Sequence, residues 1–441
     1  MKKIVKRLAQ MIDKSTHIHE NELKATIVSF FIIFILMAAY FVLKPIRDAM
    51  ASDWTDGELS YLWNIQFFIS AAIVSLYGLI ISKIKFRNVV PLVYSAFALS
   101  FLCFYFITPL FTDPTLIEKC FYVWVSAFSL FHVSVFWSFM ADTFTKEQSK
   151  RIFSVIAAGA SAGAIVGPMI PTLFADKLGL DTLMLLAAAG LFLVVPLIFY
   201  LYKLKAKELH NDGLALDVSD AKLSTEWWTG FKAIFTNKVL LVISLFILLY
   251  VFIGSFVYFE QKNLLAEYSR VDRAKILGGI EWIVNTLTFV LAFFVTGRLV
   301  TKWGMAATLS LLPLLLMMGL LVLAFAPMIV ILLAIQVARR SGNYAVTRPA
   351  REMLFTRVTS DERFKAKPVI DIVVYRGGDA ISGTAFAFLS EGIGLGLAAI
   401  SLAGAGIASV WAALAIYLGK KFDQEKDQDT AQSSTKILPQ H

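Results

Sequence analysis

The sequence predicts an all-α integral membrane protein with twelve transmembrane helices in two pseudo-symmetric six-helix bundles. Three observations carry that expectation. Of 441 residues, 58% are hydrophobic and 17% charged, against about 25% charged in an average soluble domain, so a soluble chain could not cover its apolar surface. Twelve stretches reach the roughly 20 mainly apolar residues that cross a bilayer. The two halves of the chain lie over one another at one offset.

The stretches run 24–43, 59–82, 88–108, 115–141, 150–175 and 180–202 in the first half. In the second they run 238–261, 275–300, 304–325, 327–347, 368–391 and 396–419, the tenth being interrupted by Arg339 and Arg340. Residues 1–202 are thus expected to form an N-terminal bundle with a cytoplasmic leading segment. Residues 203–237 are expected to form a cytoplasmic linker, with Trp227 and Trp228 on an interfacial helix, and 238–419 a C-terminal bundle. The polar tail 420–441 is expected to be cytoplasmic and without fixed structure. The leading segment holds Lys2, Lys3, Lys6 and Arg7, runs into a full-length span, and has no small-residue cleavage site. It reads as no cleaved signal peptide.

With both termini cytoplasmic, about 33 of the 41 Lys and Arg fall inside and about 8 outside. Lys83, Lys85, Arg87, Lys146, Lys150 and Arg151 are among those inside. Most of the +9 net charge is then orientation signal. Few basic residues alternate with aromatics, so no nucleic-acid partner is expected. The lipid bilayer is the surrounding medium. Cys103 and Cys120 make no disulfide framework and match no metal-ligand spacing.

At an offset of 219 residues Gly78 falls on Gly297, Lys83 on Lys302 and Gly159 on Gly378. Several matches at one offset, beside a six-plus-six span count, imply two related bundles. The segments Gly78–Lys83 and Gly297–Lys302 resemble the loop signature of the major facilitator superfamily, which has a Gly, an acidic residue, basic residues and a second Gly. Ser82 and Thr301 stand where the acid would be; Gly304 keeps the second glycine and Lys85 replaces it. The resemblance implies a major facilitator-like fold.

In the fifth span Gly159, Gly163 and Gly167 share one helix face. Such a face admits a neighbouring backbone closely, as tight packing or as a surface that slides between two states. Gly392 through Gly406 look similar.

Ionisable groups at bilayer depth are candidates for function. Span one ends Lys44-Pro45-Ile46-Arg47-Asp48, where Pro45 is expected to break or kink the helix. The charges there either snorkel to the interface or face a cavity. Glu260 and Lys262 end span seven, and Glu281 and Asn285 lie one turn apart on span eight. The densest cluster runs from Arg339 to Asp379: Arg348, Arg351 and Glu352, then Lys365, Lys367 and Asp371, then Arg376 and Asp379. Arg348, Arg351 and Glu352 form in part a salt-bridge set, and Arg376 and Asp379 are one turn apart. Cations exceed anions, so an anionic substrate would supply countercharge. His132 is the one histidine inside a span, and reads as a packed residue. No nucleophile–base–orienter set, phosphate loop or metal-binding motif is visible. The expectation is a non-enzyme with no metal, no cofactor and gradient-driven or exchange transport.

The span ten to eleven segment resembles the ATP/ADP translocase family of nucleotide transporters. The matching residues are Arg351-Glu352-Met353, Ser360-Asp361-Glu362, Lys365-Ala366-Lys367 and Ile370-Asp371-Ile372-Val373. Lys44-Pro45-Ile46-Arg47-Asp48 also fits, with Arg47 where the family has Lys, as does Phe136-Trp137 followed by Lys150, Arg151 and Phe153. Arg376 to Asp379 differs from the exchangers' segment. The resemblance implies ATP:ADP antiport by alternating access in a bacterial inner membrane, from a site between the bundles. Lys44 and Arg47 would meet phosphates from one side, and Arg348, Arg351, Lys367 and Arg376 from the other. Asp48, Glu281, Glu352, Asp371 and Asp379 would serve coupling or salt bridges, and Gly159, Gly163 and Gly167 helix packing. The alternative is the same fold carrying another organic anion or a proton-coupled solute, with Asp48, Glu281 or Asp379 protonated. The oligomeric state is not legible.

Overall fold

A computed structural model describes residues 18–83, 86–209, 211, 228–294, 296–359, 362, 366–367 and 369–436. Lys2, Lys3, Lys6, Arg7, Lys85, Trp227, Ser360, Asp361, Arg363 and Lys365 lie outside them, as does most of the linker. The described residues are helical throughout, with no strand.

The first half holds α1 (Glu20–Ala51), α2 (Asp56–Lys83), α3 (Phe86–Ile107) and α4 (Thr115–Thr143). A long helical run, Lys146–Lys207, follows; Gly179 at φ 75° divides it into α5 (146–178) and α6 (180–207). A positive φ is where glycine alone carries no steric penalty, so the turn between spans five and six falls there. Thr145 and Gln148 begin α5 with a reciprocal capping box: Gln148 N–H donates to Thr145 Oγ1 (3.2 Å) and Thr145 N–H to Gln148 Oε1 (2.9 Å).

The short α7 (Trp228–Thr236) precedes α8 (Lys238–Leu265), α9 (Arg270–Phe294) and α10 (Thr296–Phe325). In α10, Gly304 at φ 78° makes the turn that begins span nine. Span ten is α11 (Ile329–Gly342), a π-helical turn (Asn343–Thr347) and α12 (Arg348–Leu354). Span eleven is α13 (Tyr375–Ala387) between π turns at Val369–Val374 and Phe388–Gly392, and α14 (Leu397–Lys436) closes the chain. Eight helices among the described residues are long and apolar enough to cross a membrane, and the α5–α6 run is one of them. Span two is not in that set, and neither are spans ten and eleven, with their π turns and charges.

Two expectations need correction. Pro45 does not end α1, which continues to Ala51. In a membrane helix the backbone group that proline frees can be satisfied by neighbours. The tail is not unstructured either: α14 runs to Lys436. Its polar stretch has no Gly or Pro from Lys420 to Lys436. Asp423 anchors it by accepting from Met305 N–H (3.0 Å) and Ala306 N–H (3.2 Å), capping the helix that starts after Gly304.

The chain forms two compact units. One comprises the described residues of Met1–Asp53, Phe68–Lys222 and Tyr268–Trp282; the other those of Trp54–Phe67, Leu223–Glu267 and Ile283–His441. The opening turns of α2 thus belong with the second-half helices, and those of α9 with the first-half helices. Ion pairs hold each exchanged segment. In the second unit Asp56 accepts from Lys262 Nζ (2.8 Å), Asn263 Nδ2 (3.1 Å) and Ser390 Oγ (2.8 Å). Glu391 caps α2 by accepting from Asp56 N–H (2.6 Å) and Gly57 N–H (3.1 Å). In the first unit Arg273 pairs with Asp53 (2.5 Å), Arg270 with Glu118 (2.5 Å), and Lys275 with Asp176 (2.5 Å).

Inside the first unit α5 lies against α1. A Cβ added at Gly159, Gly163 or Gly167 would come to 2.7, 2.3 or 2.7 Å from the carbonyl oxygens of Phe30, Phe34 and Ala38 respectively. Only hydrogen fits at those three positions, and the backbones touch along two turns. The corresponding positions of the second repeat are Gly378, Ser382 and Phe386. There Gly378 meets Leu248 and Val251 side chains at 3.1 Å, Ser382 bonds Ser255 Oγ (2.6 Å), and Phe386 packs on Phe259 (ring centroids 4.8 Å). At these positions side-chain contact replaces the backbone contact of α5 and α1. The core of the second unit is apolar, with Phe246, Leu309, Leu316 and Trp411 at or near zero exposure.

Candidate functional site

Two clusters of membrane-embedded polar groups form, one in each unit. In the first, successive turns of α1 present Tyr40, Lys44 and Arg47-Asp48. Lys44 Nζ donates to Glu281 Oε1 at 2.5 Å, with side chains 16% and 5% exposed. Arg47 donates through Nε (2.9 Å) and Nη2 (2.6 Å) to Asp48 Oδ1, and through Nη1 to Ser126 Oγ (2.8 Å). Its guanidinium also lies 4.8 Å from the Tyr122 ring centroid, a cation–π contact. These charges do not snorkel; they are held inside the unit, each cation with a carboxylate. His132 packs as expected, stacked on Tyr40 (4.5 Å) with Nδ1 3.2 Å from the Phe128 carbonyl oxygen.

In the second unit the groups lie on α11 to α13. Arg351 pairs with Glu352 (3.1 Å) and Asp371 (3.8 Å). Lys367 pairs with Glu352 on its other oxygen and lies 5.4 Å from the Phe355 ring. Arg376 pairs with Asp379 (3.7 Å). The structure therefore brings together Arg351, Lys367, Glu352 and Asp371, and separately Arg376 and Asp379. It leaves out Arg348, which is exposed and makes no ion pair with a described residue. Thr347 Oγ1 at the end of the π turn and Arg351 Nε four residues on are buried without a hydrogen-bond partner among the described residues.

Two further residues stand out. Arg339 is ten residues into α11, about 15 Å along the helix and so near the middle of a hydrocarbon core about 30 Å thick. It is 9% exposed. Its Nε (3.0 Å) and Nη2 (2.7 Å) donate to Gln336 Oε1 and its Nη1 to Tyr250 Oη (3.3 Å). No carboxylate of the described residues is within salt-bridge distance. Gly254 makes room for it: an added Cβ would stand 2.7 Å from Arg339 Nη1. Tyr250 continues to Trp411 (ring centroids 5.7 Å) and Tyr375 (6.2 Å), so the guanidinium sits beside an aromatic wall. The second residue is Glu260, 2% exposed, whose Oε1 accepts from Ser401 Oγ (3.1 Å) and whose Oε2 has no partner among the described residues.

A profile of the Major Facilitator Superfamily matches residues 26–350. The chain belongs to the major facilitator superfamily. Its architecture is the one the sequence predicts, twelve helices in two six-helix repeats. No curated protein matches the chain. Among solved structures, it is similar to the nucleoside transporter NupG (TM-score 0.62, 13% identity, 91% of this chain and 99% of that one). It is also similar to a bacterial homologue of the human lysosomal transporter Spinster (0.60, 12%, 92% and 98%). A third is a POT family transporter in complex with a thioalcohol-conjugated peptide (0.61, 12%, 90% and 96%). At such identities the likeness is one of fold. The major facilitator assignment makes the chain a multi-pass membrane transporter of a small molecule.

Arg339 and Glu260 are the residues sequence reasoning passed over. Arg339 was visible as an interruption of span ten, but a basic pair at Arg339-Arg340 says nothing of which side chain finds a carboxylate. Glu260 was visible at the end of span seven, where snorkelling and burial read alike.

Proposed function

We propose that this major facilitator carries a small organic anion by alternating access, with Arg339 as the main anion-recognition residue. The observation that supports it is a guanidinium held in place near mid-membrane by Gln336 and Tyr250 with no carboxylate of the described residues at salt-bridge distance. A buried charge without a direct ion pair is costly even with the Asp379 carboxylate near enough to interact with it, and an anionic substrate would relieve that cost. Arg351 Nε and Thr347 Oγ1 offer a further unused donor and hydroxyl. The nucleotide resemblance makes ATP against ADP the first substrate pair to test, and the tyrosines beside Arg339 suit a planar base. A nucleoside transporter shares the fold, which at its identity supports the fold only. Lys44, Arg47, Arg351, Lys367 and Arg376 each have a resident carboxylate, so phosphates would have to displace Glu281, Asp48, Glu352, Asp371 or Asp379. That pairing favours a substrate of low charge over a nucleoside triphosphate. We further propose cytoplasmic termini, from the Lys and Arg asymmetry, and a bacterial inner membrane.

The test is uptake of labelled ATP into proteoliposomes preloaded with ADP, run beside a panel of unlabelled organic anions as competitors. An anion carrier loses at least tenfold in transport on Arg339→Gln and regains part of it on Arg339→Lys. ATP uptake that requires internal ADP supports nucleotide exchange. Competition by a monoanion but not by ATP keeps the anion reading and discards the nucleotide. Transport unchanged in Arg339→Gln overturns both.

A second reading rests on Glu260. A carboxyl buried among membrane helices, with one serine hydroxyl and no ion pair to a described residue, is costly to ionise. A proton-coupled carrier would use it as the proton site. Uptake driven by an imposed pH gradient and lost in Glu260→Gln, with substrate counterflow retained, would favour that reading.

A further inference from the structure

Asp379 is held more loosely than the carboxylates that pair with Lys44 and Arg47. Its one ion pair among the described residues is with Arg376, a turn away at 3.7 Å, beyond hydrogen-bonding distance. Neither side chain hydrogen-bonds a described residue, and they are 26% and 30% exposed. Arg47, by contrast, donates twice to Asp48, at 2.6 and 2.9 Å, and Lys44 closes on Glu281 at 2.5 Å with both side chains largely buried.

The exposure of Arg376 and Asp379 is not to lipid. Ile381, two residues on and so nearly opposite Asp379 on α13, is the 60% exposed apolar residue of that helix. Gly383 lies on the side of Arg376 and Asp379, four residues past Asp379, and a Cβ there would stand 3.1 Å from the Trp63 ring of α2. The charged face is therefore turned inward, where a partly exposed charge at bilayer depth meets water rather than acyl chain.

Asp379 and Arg339 also share a depth. Asp379 is ten residues past Val369, where span eleven begins, and Arg339 ten residues past Ile329, about 15 Å along each helix. Asp379 is near enough to Arg339 for the two charges to interact, although no salt bridge closes. It thus stands in the field of two guanidiniums and is fixed by neither. Glu352 and Asp371 are not free to do the same, since Arg351 and Lys367 hold Glu352 and Arg351 holds Asp371.

An anion carrier meets its largest electrostatic cost when it is empty. The bound anion offsets Arg339 in the loaded protein, but the unloaded protein must close around the same cation without it, and an enclosed unpaired charge is expensive. Resting on the anion reading of Arg339, we propose that Asp379 is the counter-ion of the empty carrier. It covers the cationic site once the substrate has left and gives the site up to the next anion. The unloaded protein can then change conformation, so that net transport occurs and not exchange alone, and Asp379 competes with the substrate for Arg339.

The test takes the full-length protein through two assays. The first is thermal unfolding with no substrate added. Asp379→Asn is expected to lower the unfolding temperature more in the wild-type background than beside Arg339→Gln. Equal losses would mean that Asp379 serves Arg376 alone, and overturn the proposal whether or not a transported anion is known. The second is uptake into proteoliposomes of labelled ATP and of labelled benzenesulfonate, a planar monoanion, with and without the same anion inside. Wild type should fill vesicles that hold no anion. Asp379→Asn should lose that uptake by roughly tenfold or more, while its uptake against internal anion reaches half-maximal rate at a lower concentration, because the competitor is gone. Asp379→Glu keeps the charge and should restore filling. Wild-type uptake that requires internal anion, or filling by Asp379→Asn at the wild-type rate, overturns the proposal and leaves the anion reading standing. That reading fails separately, on unchanged transport in Arg339→Gln.

Discussion

Arg339 and Gly254 show how a single residue decides what a membrane charge can do. The guanidinium is fixed by Gln336 and Tyr250, and Gly254 supplies the space for Nη1. A methyl added at Gly254 meets only the far end of a flexible side chain, so the helix need not move. We expect Gly254→Ala to cost less stability than a backbone clash would, because Nη1 alone must shift, and to raise the substrate concentration for half-maximal transport severalfold, read by thermal unfolding and uptake on the same preparation. Lys44 and Glu281 make the opposite case, a buried pair at 2.5 Å. Removing one partner strands the other charge, which costs about 3–5 kcal/mol. Lys44→Met should therefore destabilise strongly, and adding Glu281→Gln should recover most of the loss. A double variant as unstable as the single one would mean the pair holds nothing beyond packing. The sequence showed both charges, but their partnership joins residues 237 positions apart, which no local pattern encodes.

At the scale of elements, two kinds of helix occur. One packs by glycine: α5 touches α1 at three points where only hydrogen fits. Gly163→Ala would put a carbon 2.3 Å from the Phe34 carbonyl oxygen, so the two backbones must part, at about 1–3 kcal/mol. A fall in unfolding temperature is expected there, in contrast to Gly254→Ala, and its absence would mean that α1 and α5 part without strain. The periodicity of Gly159, Gly163 and Gly167 made this face legible; the partner was not, since any smooth helix could have met it. The other kind is interrupted. Spans ten and eleven contain three π turns, a feature frequent at functional sites, and the pair Glu352–Lys367 joins their ends. Glu352 joins both Lys367 and Arg351, so Glu352→Gln should lower the unfolding temperature; an unchanged value would mean that the link between the two spans holds nothing.

At the scale of the whole molecule, repeat and charge asymmetry make their own prediction. With cytoplasmic termini, a cysteine placed at Ser433 in a variant lacking Cys103 and Cys120 should react in intact cells only with a membrane-permeant maleimide. Reaction with an impermeant reagent would invert the assignment. The repeat itself is imperfect in an informative way: Gly159, Gly163 and Gly167 are answered by Gly378, Ser382 and Phe386, so one helix pair is backbone-tight and its counterpart is spaced by side chains. The opening turns of α2 and α9 also pack with the helices of the opposite half, because Asp56 and Arg273 find their partners there.

The sequence alone determined the all-helical, membrane-embedded class, the two repeats and the places where charge enters the bilayer. Hydrophobic length, periodicity and composition are local quantities, and the bilayer forbids most alternatives to a helix. Only the tertiary structure decided which charges are matched. It paired Lys44, Arg47, Arg351, Lys367 and Arg376, set Arg348 outside, and left Arg339 and Glu260 without an ionic partner among the described residues. It also drew the polar tail into a helix through Asp423. The physical reason is the same in each case: whether a buried charge is satisfied depends on groups brought within about 3 Å from distant parts of the chain, and that distance is a property of the packed helices.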